Sequence, residues 1–186
     1  MVSILSLWLP ILLSAVLAFV ASSVIHMLLP LHKNDFRKIP NEDGALDALR
    51  PLSIPAGDYM FPYCASAEAM KSEAYRSKVE SGPVGVMTVF GPATVFNMGP
   101  QLVQWFVYCL FVGVVAAYVT GRSLTAGTDY LEVFRLAGTV SFACYAMSLP
   151  QRSIWYKQSW GSTLRSMLDG LVYGCLAGGA FGWLWP

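Results

Sequence analysis

The sequence predicts an all-α membrane protein: four transmembrane helices with a small α+β cytoplasmic cap between the first two. Three observations carry this. Only 12% of the 186 residues are charged, about half the ~25% of an ordinary soluble domain. Those charges fall in blocks, and residues 1–31, 81–121 and 170–186 contain none. Finally, 55% of the chain is hydrophobic and the mean hydropathy is +0.52, which excludes disorder. A net charge of +1 excludes a nucleic-acid binder that rests on bulk basicity.

Residues 1–31 form the first expected transmembrane helix. The apolar run from Ile4 to Leu29 is about twice the ~7–15 residues of a secretory signal core. No basic residue precedes it, and Lys33, Arg37 and Lys38 follow. It reads as a retained span with its N-terminus outside, open to a kink at Pro10 and ended by Pro30.

Residues 100–186 hold three further expected spans, 100–121, 130–149 and 166–185, each near the ~20 residues a crossing needs. The span 130–149 includes Glu132 and Arg135, at a spacing that allows pairing. Lys and Arg set the orientation. Ten lie in residues 32–99 and the 150–165 connection, and only Arg122 and Arg135 lie elsewhere. Both connections are therefore expected in the cytoplasm and both termini outside it.

Residues 32–99 form the cytoplasmic connection. NEDGALDALR predicts a short capped helix, and Ser66–Gly82 a second. Two β-rich runs, Val84–Phe90 and Ala93–Met98, flank Gly91-Pro92 and predict a hairpin over 84–98, with Gly57–Pro62 as a third strand. The alternative for 84–98 is a re-entrant or interfacial segment covered by protein.

The strings LPLHKNDFRKIPNEDGALDALR, GDYMFP and MLDGLVYGCLAGGAFGWLWP resemble those of a group of uncharacterised small bacterial four-span inner-membrane proteins. The resemblance implies a bacterial inner-membrane location and nothing about chemistry.

Gly170, Gly174, Gly178 and Gly182 recur every four residues, which puts them on one helix face. Such a face lets another backbone approach closely in lipid. Gly113 and Ala117 share the spacing in the second span. The stripe either packs on that surface within one protomer or joins protomers into a homo-oligomer or larger membrane complex. Trp155, Lys157, Trp160 and Arg165 are a candidate site for an anionic lipid headgroup, against simple interfacial anchoring. Cys109, Cys144 and Cys175 lie near mid-span on three helices, a remote candidate for a soft metal, against the commoner role of small buried hydrophobe.

His26 and Asp169 are ionisable residues inside expected spans, and such residues are candidates for proton or ion handling. The plain alternative is a buried structural hydrogen bond. His32 and Asp35 lie on the same side. Ser22 and His26, four apart, have the spacing of a nucleophile and its base. No HExxH, GxSxG, Walker loop, GxGxxG or CxxCH occurs, so no enzyme signature is present and no cofactor is expected. The leading expectation is a non-enzymatic inner-membrane protein that self-assembles or serves a membrane complex, with the bilayer as partner. The second is a small oligomeric channel or transporter using His26 and Asp169. A membrane-embedded metal-binding protein or hydrolase ranks third.

Overall fold

The computed structural model describes residues 1–186. In chain order its elements are α1 (Trp8–Met27), α2 (Glu42–Leu49), β1 (Gly57–Phe61), α3 (Ala67–Met70), α4 (Glu73–Ser81), β2 (Gly85–Val89), α5 (Ala93–Phe96), α6 (Gly99–Ser123), α7 (Tyr130–Ala146), α8 (Pro150–Tyr156) and α9 (Trp160–Trp183). They fall into two compact units, Met1–Arg37 with Gly99–Pro186, and Lys38–Met98.

In the first unit, the four long helices close into a ring: α1 packs on α6, α6 on α7, α7 on α9, and α9 back on α1. Successive helices run in opposite directions. The Val2 N–H donates to the Gly121 carbonyl at 2.7 Å, and the Gly127 N–H to the Pro186 carbonyl at 2.7 Å. Both termini therefore sit at one end of the bundle. The other end carries the end of α1 and the start of α9. Pro10 occupies the first turn of α1, where a missing N–H leaves no helical bond unmade, so the helix runs through it.

The core is built largely of small residues, Ala15, Ala18, Ala116, Ala117 and Ala137 among them, filled in by Leu7, Ile11 and Phe181. Large apolar side chains point outward instead: Leu12, Val16 and Val20 on α1, Val103, Val107 and Phe111 on α6, Leu164 and Leu168 on α9. Two helices, Ile4–Met27 and Gly99–Ser123, are long and apolar enough to cross a membrane. The 17-residue α7 is shorter, and the 24-residue α9 carries Arg165 and Asp169 because it begins at Trp160 rather than at 166.

The tightest packing joins α7 to α9. A Cβ on Gly178 would stand 2.7 Å from the Phe134 carbonyl oxygen, and one on Gly174 2.9 Å from the Phe142 Cβ. Gly138 of α7 answers them, its own Cβ position lying 3.2 Å from the Gly174 carbonyl oxygen. Gly170 and Gly182 meet Ala146 and Tyr130 of the same helix. The stripe is thus used within the protomer, but not on the expected surface. Gly113 faces Ile11 and Ser14 of α1, and Ala117 lies in the core. A lone Gly138 was enough to let two backbones meet.

In the second unit, α2 forms as its cap chemistry predicts, with Asn41 Oδ1 accepting the Gly44 N–H at 3.2 Å. The single helix expected over Ser66–Gly82 is two helices. Ser66 Oγ caps α3 by accepting from the Ala69 N–H, and Ser72 Oγ caps α4 by accepting from the Tyr75 N–H. Ser72 ends one helix by starting the next. The hairpin expected over 84–98 does not form. Strand β2 pairs antiparallel with β1, Gly57 opposite Val89 and Phe61 opposite Gly85. Residues 93–96 are the short helix α5, because Pro92 adopts helical angles (φ −55°, ψ −33°) and proline suits a helix start.

Candidate functional site

His26 lies in the last turn of α1. The helix stops at Met27, and Pro30 opens a 3-10 turn over Pro30–His32. That turn folds the chain back, and the His32 ring stacks on the His26 ring, centroids 4.4 Å apart and planes 9° from parallel. Three residues on, Asp35 Oδ2 lies 2.6 Å from His32 Nδ1. From α9, Arg165 Nε donates to Asp35 Oδ1 at 2.9 Å, and its terminal nitrogen donates to the same oxygen. Asp169 follows four residues after Arg165, on the same helix face. Its Oδ2 lies 2.9 Å from His32 Nε2 and 3.9 Å from His26 Nε2. The Asp169 side chain is 7% exposed and that of Asp35 10%, while His26 is 51% exposed.

Burial alone would raise the Asp35 carboxyl. Hydrogen bonds from His32, Arg165 and Ser162, together with the Arg165 charge, outweigh it and hold the pKa below the ordinary carboxylate value. A depressed carboxylate stabilises the fold above its unfolded pKa, and that contribution is lost as pH falls through the lower folded value. At neutral pH Asp35 is an anion locked to a guanidinium.

His26 and Asp169 are brought together, as the sequence suggested, but the direct partner of Asp169 is His32. Sequence reasoning placed His32 and Asp35 nearby and gave them no role. Their three-residue spacing within a Pro-led turn is the signal that points to them. Arg165 pairs with Asp35. Trp155 and Trp160 are exposed, and Lys157 Nζ donates to the Ile154 carbonyl at 3.0 Å. Ser22 and His26 do not form a nucleophile and base. His26 Nδ1 lies 3.0 Å from the Ser22 backbone carbonyl, and the Ser22 hydroxyl donates to the Phe19 carbonyl while accepting from Trp105 Nε1. Cys109 is buried, Cys144 half-buried and Cys175 exposed, and their sulfurs are not gathered as the His26, His32 and Asp169 ligand atoms are, within 4.8 Å of one another.

Further polar atoms lie deeper. Tyr173 is one turn beyond Asp169 on α9, its ring against Trp105 and Tyr145. Ser141 sits on α7 beside Phe142, which touches Gly174. Thr120 adjoins Gly121 near the chain termini. The hydroxyls of all three are buried and have no protein hydrogen-bond partner. Tyr173 and Ser141 lie beyond the charged cluster, and Thr120 near the opposite end of the bundle.

Fold and site together define a four-helix bundle with an outward apolar surface and a His–Asp–Arg cluster at one end. No protein-family model, curated protein or solved structure matches the chain, so its class rests on that architecture.

Proposed function

We propose that this is a four-span integral membrane protein that takes up a proton or another cation at His26, His32 and Asp169 and passes it along the bundle interior. One observation carries the reading: beyond the cluster, the hydroxyls of Tyr173, Ser141 and Thr120 are buried in the bundle and none is satisfied by protein. Among lipid-facing helices an unpaired hydroxyl is costly and is sustained where water or an ion reaches it.

The span count is supported by surface chemistry. Leu131 on α7 and Leu164, Leu168 and Leu171 on α9 are exposed, and water does not favour such a surface on every side of a bundle. At 1.5 Å per residue, a helix the length of α7 reaches about 25 Å, near the lower limit of a crossing. The Lys/Arg distribution favours a cytoplasmic location for the His–Asp mouth and an outer one for both termini. With the resemblance noted above, this fits a bacterial inner membrane. The glycine stripe that would have served self-assembly packs on α7, so ion handling rather than assembly leads.

The test is flux in proteoliposomes. A proton gradient or a divalent-cation gradient across wild-type vesicles should dissipate faster than across protein-free ones. Asp169→Asn and His32→Ala, confirmed as folded by elution and circular dichroism, should lose at least tenfold of that rate. Wild-type vesicles as tight as protein-free ones under both gradients would defeat the proposal.

A further inference from the structure

Hydrogen-bond chemistry at the mouth of the bundle narrows the identity of the cation. A ring nitrogen that faces a group able only to accept must itself carry the proton. His26 Nδ1 faces a backbone carbonyl. His32 Nδ1 faces one carboxylate oxygen of Asp35, whose other oxygen accepts from Arg165. In the neutral rings both protons therefore sit on Nδ1, and both Nε2 atoms are left as bare acceptors near Asp169.

The contact between His32 and Asp169 is the informative one. His32 Nε2 is buried and only 2.9 Å from Asp169 Oδ2, yet it has no hydrogen-bond partner. The oxygen lies off the direction in which a proton on that nitrogen would point. Two acceptors face each other at close range, and a positive charge is needed between them. A hydrogen bond needs its acceptor in line. A metal does not: bonds of about 2.1 Å meeting at roughly 90–110° at the ion put two donors roughly 3.0–3.4 Å apart, each aimed at the ion rather than at the other.

We propose that His26 Nε2, His32 Nε2 and the Asp169 carboxylate form a three-ligand site for a first-row divalent transition metal of the Zn2+ class. Two imidazoles and one carboxylate suit that group of ions rather than Mg2+ or Ca2+, which take oxygen ligands. The Asp35–His32 pair supplies the carboxylate–histidine arrangement that fixes ring orientation and raises ligand basicity in metal sites. His26 is the adjustable member. Parallel stacking sets its lone pair beside that of His32 rather than convergent with it, so loading swings the half-exposed His26 ring inward. The assignment rests on the cation-site reading above and specifies which cation that site takes.

The experiment uses the full chain in detergent or nanodiscs, stripped with a chelator and titrated with Co2+. The readouts are the visible absorption of bound Co2+ and the metal content after Zn2+ loading. One ion per chain is expected, with Co2+ displaced by Zn2+ and not by Ca2+. Asp35→Asn should weaken binding about 10–100-fold, while His32→Ala and Asp169→Asn should abolish stoichiometric binding. Cys175→Ser should bind as wild type, with no thiolate charge-transfer band in any sample. If His32→Ala does not fold, His26→Ala on the exposed ring carries the same test.

Absence of Co2+ and Zn2+ binding to wild type overturns the metal assignment, as does binding that survives both His32→Ala and Asp169→Asn. Parallel flux measurements separate the two readings. Proton flux without metal binding removes the metal and leaves the ion-handling proposal standing. Metal binding without flux keeps the metal site and removes translocation. Neither binding nor flux removes both.

Discussion

Asp35 is a loop carboxylate made structural by residues far from it in sequence. Arg165, 130 positions away, donates two hydrogen bonds to it, and His32 a third. Arg165→Gln leaves that carboxylate buried without its cation and should cost about 1–3 kcal/mol. The Asp35→Asn, Arg165→Gln double mutant should recover part of this, which a denaturant double-mutant cycle in detergent measures. Additive losses would mean the two side chains do not depend on each other. Thr120 and Ser141 make the opposite case. Each buries a hydroxyl with no protein partner, so Ser141→Ala and Thr120→Val should raise stability by up to about 1 kcal/mol. The same substitutions should lower proteoliposome flux, because they remove polar steps from the proposed path. A gain in stability with unchanged flux would leave these hydroxyls outside it.

At the level of elements, the α7–α9 contact shows how little sequence pattern says about which partner a glycine face meets. Gly178 abuts a backbone carbonyl that cannot give way, whereas the nearest atom to a Cβ on Gly179 is the Tyr130 hydroxyl at 3.7 Å. Gly178→Ala should therefore lower stability by about 1–3 kcal/mol through overpacking. Gly179→Ala should be neutral, or stabilising by up to about 1 kcal/mol from helix propensity. Thermal unfolding of the two variants separates them, and light scattering should report the wild-type particle mass for both. A smaller particle for Gly178→Ala would restore the stripe to an interface between protomers. The second unit teaches a related lesson. Alternation and a Gly-Pro pair made 84–98 look like a hairpin, but β2 found its partner in β1, across α3 and α4.

For the molecule as a whole, the two termini share one end of the bundle and the His–Asp cluster occupies the other. With ten of twelve Lys and Arg residues outside the 124–129 loop and its flanks, the cluster end should face the cytoplasm. A reporter active only in the cytoplasm should therefore work when fused after Arg50 or Arg152 and fail after Arg122. The reverse pattern would turn the molecule over and place the proposed ion entry on the outer face.

Local chemistry was enough to place the four long helices and the short helix at residue 42. Charge-free length, proline position and capping side chains act within a few residues, so they are legible before any folding. The same locality explains the misreadings. Ser72 caps as well as it continues a helix, and Gly91-Pro92 starts α5 as readily as it turns a hairpin. His26 and Asp169 stood out because they interrupt apolar runs. His32 and Asp35 did not, and Arg165 was read with the interfacial tryptophans, because each sits in a polar stretch where charge is ordinary. Only packing decided that Gly138 would receive Gly174 and Gly178, and that α1 and α9 would meet where their charged ends coincide. The first contact joins residues about 40 positions apart and the second residues more than a hundred apart, and their energy exists only once the ring of helices has closed.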